Sequence, residues 1–415
     1  MNFLFIHPNF PAQFWHLSKA LATMGGNRVL YLTQRTNGNK LQGVQIALYK
    51  PISKPKEDTH PYLKPVEEAI IEGQSVAKAL EELRDKHHFK PDAIIAHTGW
   101  GSTLFTKDIF PDVPVLGYFE WYYKAYGGDA AFFPNESMAP SEAMRIRTRD
   151  SFHLMNLDSC DVRFTPTEWQ RSQFPKMYQK GMRVIHEGID TDFCHPQAGR
   201  KLILPAIEGK DGKPGREALD LSKCPEILTY VSRGLEPYRG YPQFISAVSL
   251  LLKRRPKLHV VIVGTDTTCY GAKPKDAKSW KEYMDKRVQY DKKRVHFVGH
   301  LNRPEYQMVL QASTVHVYFT RPFILSWSCL EAMSFGCAMV GSKTPPVEEV
   351  MEDGKNGLLA NFRSPQHLAL RIEELLNNPG LRKRLGKAAR ETILTRYNLR
   401  DCVQKQVDMV FEALP

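Results

Sequence analysis

The stretch from Val315 to Gly341, VHVYFTRPFILSWSCLEAMSFGCAMVG, contains the pattern that decides the fold. Its first five and last four residues are short apolar runs of the kind that form buried strands. Between them, Ser328–Phe335 has apolar residues at helical spacing, and Ser328 and Glu331 have the S-x-x-E spacing of a capping box. The stretch therefore predicts a strand, a loop, a helix that begins near Ser326, and a second strand.

The same alternation of short apolar strands and helices extends along the whole chain, in two series separated by a Gly-, Lys- and Pro-rich stretch, Gln197–Pro214, which predicts a loop. Each series predicts a doubly wound α/β domain with a mostly parallel sheet. Two such domains that face one another would form a cleft for a ligand. The predicted strands are Phe3–Ile6, Arg28–Thr33, Asp92–Ala96, Val113–Tyr118, Val162–Thr165, Ile227–Ser232, His259–Gly264, Val295–Gly299, Val315–Phe319 and Ala338–Gly341. The predicted helices are Gln13–Met24, Val66–Lys86, Tyr241–Arg254, Arg303–Ala312, Ser328–Phe335, Pro365–Leu376 and Arg382–Leu394.

The composition is that of a globular protein, with 415 residues of which 42% are hydrophobic and 25% charged. This excludes a mainly disordered or collagen-like chain and leaves room for two domains. The seven cysteines are scattered without a C-x-x-C pair, which fits neither a disulfide framework nor a zinc ribbon. The apolar run after Met1 is too short for a signal peptide, and no apolar stretch approaches ~20 residues. We therefore expect a cytoplasmic protein.

The net charge of +12 comes entirely from the part of the chain that follows His195. Up to that residue there are 22 basic and 22 acidic residues, and beyond it there are 35 and 23. The excess is concentrated in Asp266–Arg294 and Pro379–Arg400. Such segments favour an anionic partner, although a solvated basic surface explains them equally well. Because the first half is neutral, we expect at most a peripheral contact with membranes.

A second informative stretch is Ser232–Gly240, SRGLEPYRG, which lies between a predicted strand and a predicted helix. Arg233 and Arg239 can converge from the two ends of this turn, and guanidinium groups match phosphate oxygens in fork geometry. A cationic pair can also neutralise a leaving diphosphate without a metal. Two exposed loop arginines would have the same sequence, so the motif alone leaves both interpretations open.

The helix start near Ser326 offers free backbone N–H groups and the positive end of a helix dipole, which suit a phosphate group. Glu331, one turn further, could accept two hydrogen bonds from a ribose diol, or it could serve only as a capping residue. The predicted strand that ends at Gly264 could bring backbone close to a ligand, although a glycine after a strand is a weak signal.

Taken together, these motifs resemble those of the family 4 retaining glycosyltransferases, which have the GT-B fold. The motifs that carry the resemblance are Arg233 and Arg239, the strand end at Gly264, Leu330–Gly336 (LEAMSFG), Glu352–Leu359 (EDGKNGLL) and Glu187–Phe193 (EGIDTDF). The resemblance spans nearly the whole chain. It implies an acceptor-side domain over residues 1–188, a nucleotide-sugar domain over 189–395, and a C-terminal helix over 396–415 that crosses back to the first domain.

The resemblance also implies roles for residues of the donor site. Arg233 and Arg239 would bind the donor diphosphate, and Glu331 would bind the nucleotide ribose. The remaining donor-site residues would be Gly264, Phe323, Ile324, Leu325, Ser326 and Ser328. One position departs from the family pattern, because Phe323 stands where relatives carry the first glutamate of E-x7-E, a carboxylate that helps to orient the donor sugar.

The activity that the resemblance implies is retaining transfer of a hexosyl group from a nucleoside-diphosphate sugar, with UDP- or GDP-sugars expected first, to a hydroxyl acceptor. The acceptor would be a glycan, a lipid-linked sugar or a small metabolite. Neither a metal nor another cofactor is implied, and Asp190-Thr191-Asp192, which resembles a metal motif, lies in the interdomain linker. Residues that could act in catalysis or shape the acceptor side are His97, Glu120, His7, Trp100, Trp121, Tyr122 and Tyr123.

Three alternatives keep the same fold. The first is a catalytically idle sugar-nucleotide-binding partner of another transferase, which the substitution at Phe323 favours. The second is an enzyme of different chemistry, such as a nucleotide-sugar epimerase or a phosphorylase, although no cofactor-lysine motif of a phosphorylase is present. The third is a transferase with a nucleic acid acceptor, which we do not expect because the sequence contains no stripe of basic and aromatic residues.

Overall fold

The computed structural model describes residues 1–134, 136–209 and 215–415. The chain divides into two compact units, which we call the first domain (Met1–Gly188 and Leu399–Pro415) and the second domain (Ile189–Asn398). The last five residues of the predicted loop Gln197–Pro214 lie outside the described residues.

The first domain is built on a seven-stranded parallel sheet with the order β3-β2-β1-β4-β5-β6-β7. Its strands are β1 (Asn2–Ile6), β2 (Arg28–Thr33), β3 (Val44–Leu48), β4 (Ala93–His97), β5 (Val115–Tyr118), β6 (Val162–Thr165) and β7 (Met182–Val184). The strand order reverses between β1 and β4. In sheets of this type, ligands bind outside the carboxyl ends of the strands at such a reversal.

The described part of this domain has seven α-helices between its strands, namely α1 (Trp15–Thr23), α2 (Lys64–Asp85), α3 (Thr106–Ile109), α4 (Pro140–Arg149), α5 (Ser151–Ser159), α6 (Glu168–Gln173) and α7 (Lys176–Gln179). Successive residues of β1 point to opposite faces of the sheet, so Leu4 and Ile6 join one buried cluster while Phe3 and Phe5 join another. The sheet therefore has a core on each face, which explains why its strands are almost continuously apolar.

The second domain contains a six-stranded parallel sheet with the order β12-β11-β10-β13-β14-β15 and a two-stranded antiparallel ribbon, β8-β9. Its strands are β8 (Ile203–Leu204), β9 (Leu219–Asp220), β10 (Glu226–Gly234), β11 (Leu258–Thr265), β12 (Val295–Gly299), β13 (Val315–Tyr318), β14 (Met339–Ser342) and β15 (Leu358–Ala360). Strand β8 lies inside the stretch predicted as a loop. The strand order of the six-stranded sheet reverses between β10 and β13.

The helices of this domain are α8 (Tyr241–Arg254), α9 (Trp280–Asp285), α10 (Arg303–Gln311), α11 (Trp327–Ser334), α12 (Pro345–Glu348), α13 (Pro365–Asn377) and α14 (Pro379–Arg396). Among the described residues, no helix combines the length and the apolar character that crossing a membrane requires.

The last helix, α15 (Leu399–Glu412), belongs to the first domain. Its residues Val407 and Val410 are buried in the same cluster as Phe3, and the ring of Phe411 lies edge-on to that of Phe3 at 5.9 Å. Two Rossmann-like α/β domains with parallel sheets are therefore present, which confirms the predicted fold class.

Candidate functional site

Each domain carries a group of polar and aromatic side chains beyond the carboxyl ends of its central strands. We call His7, Gln13, His97, Trp100 and Glu120 the first-domain cluster. We call Arg239, Tyr270, Phe323, Ser326 and Glu331 the second-domain cluster. Most members of each cluster follow the two strands between which the order reverses, β1 and β4 in the first domain and β10 and β13 in the second. The exceptions are Glu120, which follows β5, and Tyr270, which follows β11.

Arg239 is the central residue of the second-domain cluster. It ends a short 3-10 turn after β10 and is almost completely buried. Its Nη1 donates hydrogen bonds to Tyr318 Oη at 3.2 Å, Thr320 Oγ1 at 3.0 Å and the carbonyl oxygen of Ile324 at 2.9 Å. Within the described residues, Nε and Nη2 donate to no acceptor. The guanidinium is thus fixed by one nitrogen and has two others that can bind an anion.

Arg233, the other predicted phosphate ligand, is exposed near the end of β10, and within the described residues its guanidinium forms no hydrogen bond or ion pair. Burial raises the pKa of Glu236, whereas the charges of Arg239 and Arg233 oppose this rise. The charges of both arginines therefore lower the pKa of the same carboxyl group, although one arginine is buried and the other is exposed to solvent.

The start of α11 is close to its predicted position, but its capping residue is different. The helix begins at Trp327, and the hydroxyl of Ser326 caps it by accepting a hydrogen bond from the N–H of Ser328 at 3.3 Å. The predicted capping box between Ser328 and Glu331 is therefore wrong. The carbonyl that Arg239 binds, that of Ile324, lies two residues before the cap, so the guanidinium and the helix start are held together. Leu325, by contrast, is buried in the hydrophobic core.

Glu331 is partly buried on α11 and accepts a hydrogen bond from Tyr306 Oη of α10 at 2.7 Å. Burial raises the pKa of the Glu331 carboxyl, and the hydrogen bond from Tyr306 and the charge of Arg303 lower it in part. Because Tyr306 occupies one carboxylate oxygen, the other can accept hydrogen bonds from a ligand. The sequence did not indicate Tyr306, since the residue lies on a different helix 25 positions earlier.

Two predicted residues have a clear packing role. Gly264 has a φ of +142°, and a Cβ there would lie 2.2 Å from the carbonyl oxygen of Ser232, so the approach of β10 to β11 requires glycine. Phe323 is buried, and its ring lies edge-on to Tyr238 at 5.4 Å and to Tyr270 at 5.0 Å. Packed aromatic rings thus occupy the position at which the family pattern has a carboxylate.

Two further residues of this region were not predicted from the sequence, Glu236 and Tyr270. Glu236 is fully buried, and its Oε2 accepts hydrogen bonds from the N–H groups of Cys269 and Tyr270. This contact holds the loop after β11 against the turn that contains Arg239. The ring of Tyr270 then lies 5.4 Å from the Arg239 guanidinium. No spacing rule connects residues from two separate loops, so the sequence offered no signal for this contact.

In the first-domain cluster, a chain of hydrogen bonds links His7 to Glu120. The N–H of Asn9 donates to His7 Nδ1 at 2.8 Å, so the proton of the neutral ring lies on Nε2, which contacts Gln13 Oε1 at 3.1 Å. Gln13 Nε2 in turn donates to Glu120 Oε1 at 3.0 Å. Burial, with a smaller effect of His97, lowers the pKa of His7 well below its ordinary value, which keeps the ring neutral.

His97 ends β4 and is 1% exposed. Its Nδ1 accepts a hydrogen bond from the N–H of Gly99 at 3.0 Å, and its Nε2 lies 3.6 Å from Glu120 Oε2. The ring of Trp100 lies 4.5 Å from that of His97 and 4.9 Å from that of His7. The structure therefore brings together four residues that the sequence analysis had singled out separately, His7, His97, Trp100 and Glu120.

The aromatic residues after Glu120 are mostly part of the interior. Trp121 is 5% exposed, the ring of Tyr122 packs against Phe174 at 5.6 Å, and Tyr123 lies under the guanidinium of Arg149 at 3.7 Å. The N–H of Tyr123 donates to Asp150 Oδ1 at 3.1 Å, and burial raises the pKa of Asp150 to about 7.

The two Rossmann-like domains with parallel sheets correspond to the GT-B fold of glycosyltransferases. Residues 25–194 match the family model described as Glycosyl transferase family 4 group, and residues 215–392 match the model described as Glycosyl transferases group 1. The two matches together account for most of both domains. The first part of the chain is therefore similar to the family 4 group of glycosyltransferases, and the second part to the group 1 glycosyltransferases.

Individual relatives agree with this assignment. An uncharacterized glycosyltransferase of Methanocaldococcus jannaschii is 29% identical over 234 residues, which are 55% of this chain and 55% of that protein. The chain thus spans about half the length of the curated relatives it matches. Sucrose-phosphate synthase of Thermosynechococcus elongatus has a TM-score of 0.67 at 16% identity, covering 99% of this chain and 98% of that one. HepE of Anabaena, solved in complex with UDP-glucose, has a TM-score of 0.68 at 15% identity, covering 99% and 100%. At these identities the two structures show the common fold only.

Proposed function

We propose that this chain is a retaining glycosyltransferase that moves a hexosyl group from a UDP- or GDP-sugar to a hydroxyl acceptor. The observation that carries the proposal is the hydrogen bond from Arg239 Nη1 to the carbonyl oxygen of Ile324. It fixes a cation beside the start of α11, and two nitrogens of this cation donate to no acceptor among the described residues. The positive end of the helix dipole at the start of α11 also favours an anion.

In this proposal the donor lies across the second-domain cluster. The diphosphate binds to the free nitrogens of Arg239 and to the start of α11 at Ser326 and Ser328, and the exposed guanidinium of Arg233 adds a second positive charge. Glu331, held by Tyr306, accepts hydrogen bonds from the ribose hydroxyls. A complex of HepE with UDP-glucose, in a protein of the same fold, supports a uridine nucleotide as the first donor to test.

The proposed chemistry requires that negative charge on the leaving diphosphate be stabilised as the glycosidic bond breaks. Arg239 and Arg233 supply that stabilisation through fixed positive charges. The acceptor hydroxyl attacks the oxocarbenium-like sugar on the face that the diphosphate leaves, and a phosphate oxygen takes its proton. Since no step uses a divalent cation, we expect turnover to be unchanged by EDTA; loss of turnover that Mg²⁺ or Mn²⁺ restores would contradict this mechanism.

The first-domain cluster is the proposed acceptor side. His97 and Glu120 provide hydrogen-bonding groups 3.6 Å apart, and Trp100 lies beside them. We also propose a cytoplasmic location, where nucleotide sugars are available, and cell fractionation would test it.

The decisive experiment is a thermal-shift screen of the wild-type protein with UDP-, GDP-, ADP- and dTDP-sugars. A donor present at 100 times its Kd adds ~2.7 kcal/mol to the free energy of unfolding, which is a large shift of the melting temperature. Glu331→Ala should lose most of this shift because the ribose loses its acceptor, while Glu374→Ala, an exposed carboxylate of α13, should keep it. Absence of a shift with every nucleotide sugar would reject the proposal.

A second candidate function is a sugar-nucleotide-binding partner without activity of its own. The buried ring of Phe323, at the position where family members have a carboxylate, is the observation that favours it. Both candidates predict binding of the donor, but only the enzyme predicts turnover. Slow release of the nucleoside diphosphate from the bound donor, without any acceptor, would decide for the transferase.

A further inference from the structure

We infer that the acceptor is a neutral carbohydrate whose ring stacks on Trp100 while its hydroxyl groups bind His97 and Glu120. The inference rests on the proposed function, because it names the substrate of the acceptor side. The first-domain cluster alone carries it, and three of its properties point to a sugar.

The first property is an aromatic face that is held in place but remains uncovered. Trp100 lies in the 3-10 turn after β4, and its ring packs edge-on against His7 at 4.9 Å and at 40° to His97. Even so, 41% of the residue is exposed to solvent. Large aromatic side chains gain free energy when they are covered by apolar surface, and the C–H face of a pyranose ring provides such a surface.

The second property is a buried donor without an acceptor. Because His97 Nδ1 accepts the N–H of Gly99, the neutral ring carries its proton on Nε2. That atom is buried and has no hydrogen-bond partner among the described residues. Leaving a buried donor unpaired is unfavourable, so a ligand oxygen that pairs with it is favoured. The carboxylate of Glu120 lies 3.6 Å away, beyond hydrogen-bond distance.

The third property is the charge of the cluster. Glu120 contributes a carboxylate, and His7 remains neutral because burial lowers its pKa. A phosphorylated acceptor would bring a second negative charge next to Glu120, which is unfavourable.

These properties together fit one class of acceptor. A lipid chain would require a continuous apolar groove, whereas the indole of Trp100 lies beside the imidazole rings of His7 and His97, and Glu120 lies 3.6 Å from His97. A sugar ring has an apolar face for the indole and hydroxyl groups at its edge, which can accept from His97 and donate to Glu120. Trp121, which the sequence also suggested for stacking, is 5% exposed and cannot provide a comparable face.

The test uses the donor found in the thermal-shift screen and measures release of the nucleoside diphosphate. The acceptors are glucose, maltose and N-acetylglucosamine, then glucose 6-phosphate, and finally dioleoylglycerol in phosphatidylcholine vesicles. We expect at least one neutral saccharide to raise the release at least tenfold above hydrolysis, and the phosphorylated sugar and the lipid to fail. Transfer only to glucose 6-phosphate or to the lipid, or no stimulation by any saccharide, would overturn the inference.

Variants then test the role of Trp100. Trp100→Ala should raise the KM for the saccharide at least tenfold without changing the KM for the donor, and Trp100→Phe should recover most of the loss. Trp15→Ala is the matched control, since Trp15 is 39% exposed and its only ring contact among the described residues is with His16. An unchanged saccharide KM in Trp100→Ala would reject the stacking role. Donor hydrolysis without acceptor is measured in parallel, and its absence would count against the proposed function instead.

Discussion

Arg239 shows how a buried charge can be kept available for a ligand. Burial of an unpaired cation is costly, so a buried guanidinium needs hydrogen-bond acceptors. Here three oxygens surround one nitrogen, and the rings of Tyr270 and Phe323 lie 5.4 and 5.9 Å from the guanidinium carbon. The aromatic rings favour the positive charge without occupying the remaining N–H groups.

We expect Arg239→Lys to lower kcat/KM for the donor at least 100-fold, although the charge is kept. A lysine ammonium cannot donate to three fixed oxygens and bind phosphate in fork geometry at the same time. Steady-state kinetics would measure the loss, and the melting temperature would show whether the domain still folds. Arg287→Lys, an exposed arginine of the same domain, is the control, and an equal loss there would contradict a specific role for Arg239.

The raised pKa of Asp150 predicts that the stability of the protein depends on pH. Burial raises its pKa to about 7, so the folded chain prefers the protonated carboxyl. The stabilisation that the protonated carboxyl contributes is therefore fully present below pH about 4, which is the pKa of this group in the unfolded chain. It is lost as the pH rises through about 7. The free energy of unfolding should decrease by up to about 4 kcal/mol over this range, because the folded and unfolded pKa values differ by roughly three and each pKa unit corresponds to about 1.36 kcal/mol. Urea unfolding at pH 4.5, 6 and 8 would measure it, and Asp150→Asn should lack the decrease that the wild type shows.

At the scale of single residues, the sequence predicted the members of each cluster better than their roles. Arg239 and Glu331 could be found because family motifs contain them. The two roles considered for Glu331 could not be separated from the sequence, because the S-x-x-E spacing is the same for a capping box and for a ligand-binding carboxylate. The structure excludes the capping box, since Ser326 caps the helix. Glu236 depends on amide groups of another loop, which no local pattern encodes.

At the scale of helices and strands, long amphipathic segments and buried central strands were predictable, whereas the edge strands β3, β7 and β15 were missed and only the edge strand β12 was found. Helix α8 and strand β12 have the predicted bounds, because their apolar residues are periodic and flanked by clear ends. Strand β3 was missed because it lies at the sheet edge and none of its residues is fully buried. Helix α14 begins at Pro379, three residues before its predicted start, because Asn378 caps it through the N–H of Leu381.

The cap of α11 offers a test at this scale. Ser326→Ala removes the oxygen that accepts the N–H of Ser328, and a lost N-cap costs about 1 kcal/mol. Ser328→Ala removes only the contact between the two hydroxyl groups and should cost less. Chemical denaturation would measure both changes. If Ser328→Ala were the more destabilising, the cap would be assigned to the wrong serine.

At the scale of the whole chain, part of the excess positive charge belongs to arginines that hold the structure together through hydrogen bonds to backbone carbonyl groups. Arg390 Nη1 donates to the carbonyl oxygens of Cys194 at 2.8 Å and Ser334 at 2.7 Å. Arg382 donates in the same way to the last turn of α13, and Arg384 to Gly354. Arginines near the end of a helix satisfy carbonyl groups that have no partner within it. Charge counts alone could not distinguish this use from binding of an anionic partner.

The return of the chain to the first domain depends on Gly188. Its φ is +88°, and a Cβ would lie 2.6 Å from the Cα of Leu399 at the start of α15. Gly188→Ala should therefore destabilise the protein by about 1–3 kcal/mol through overlap, in addition to backbone strain. Gly127→Ala is the control, because Gly127 also has a positive φ but nothing lies within 4 Å. Equal changes in the free energy of unfolding would show that only backbone strain matters.

The anchoring of Arg239 also has a thermodynamic consequence. Immobilising a flexible side chain at a binding surface costs roughly 0.5–1.5 kcal/mol. For an arginine that moves freely in solvent, this cost would weaken the binding of each ligand. The three oxygens around Nη1 have already restricted this side chain when the chain folds. The entropy penalty of restricting Arg239 thus falls on folding. If Arg239 binds the donor as proposed, each association would meet a guanidinium that is already in position.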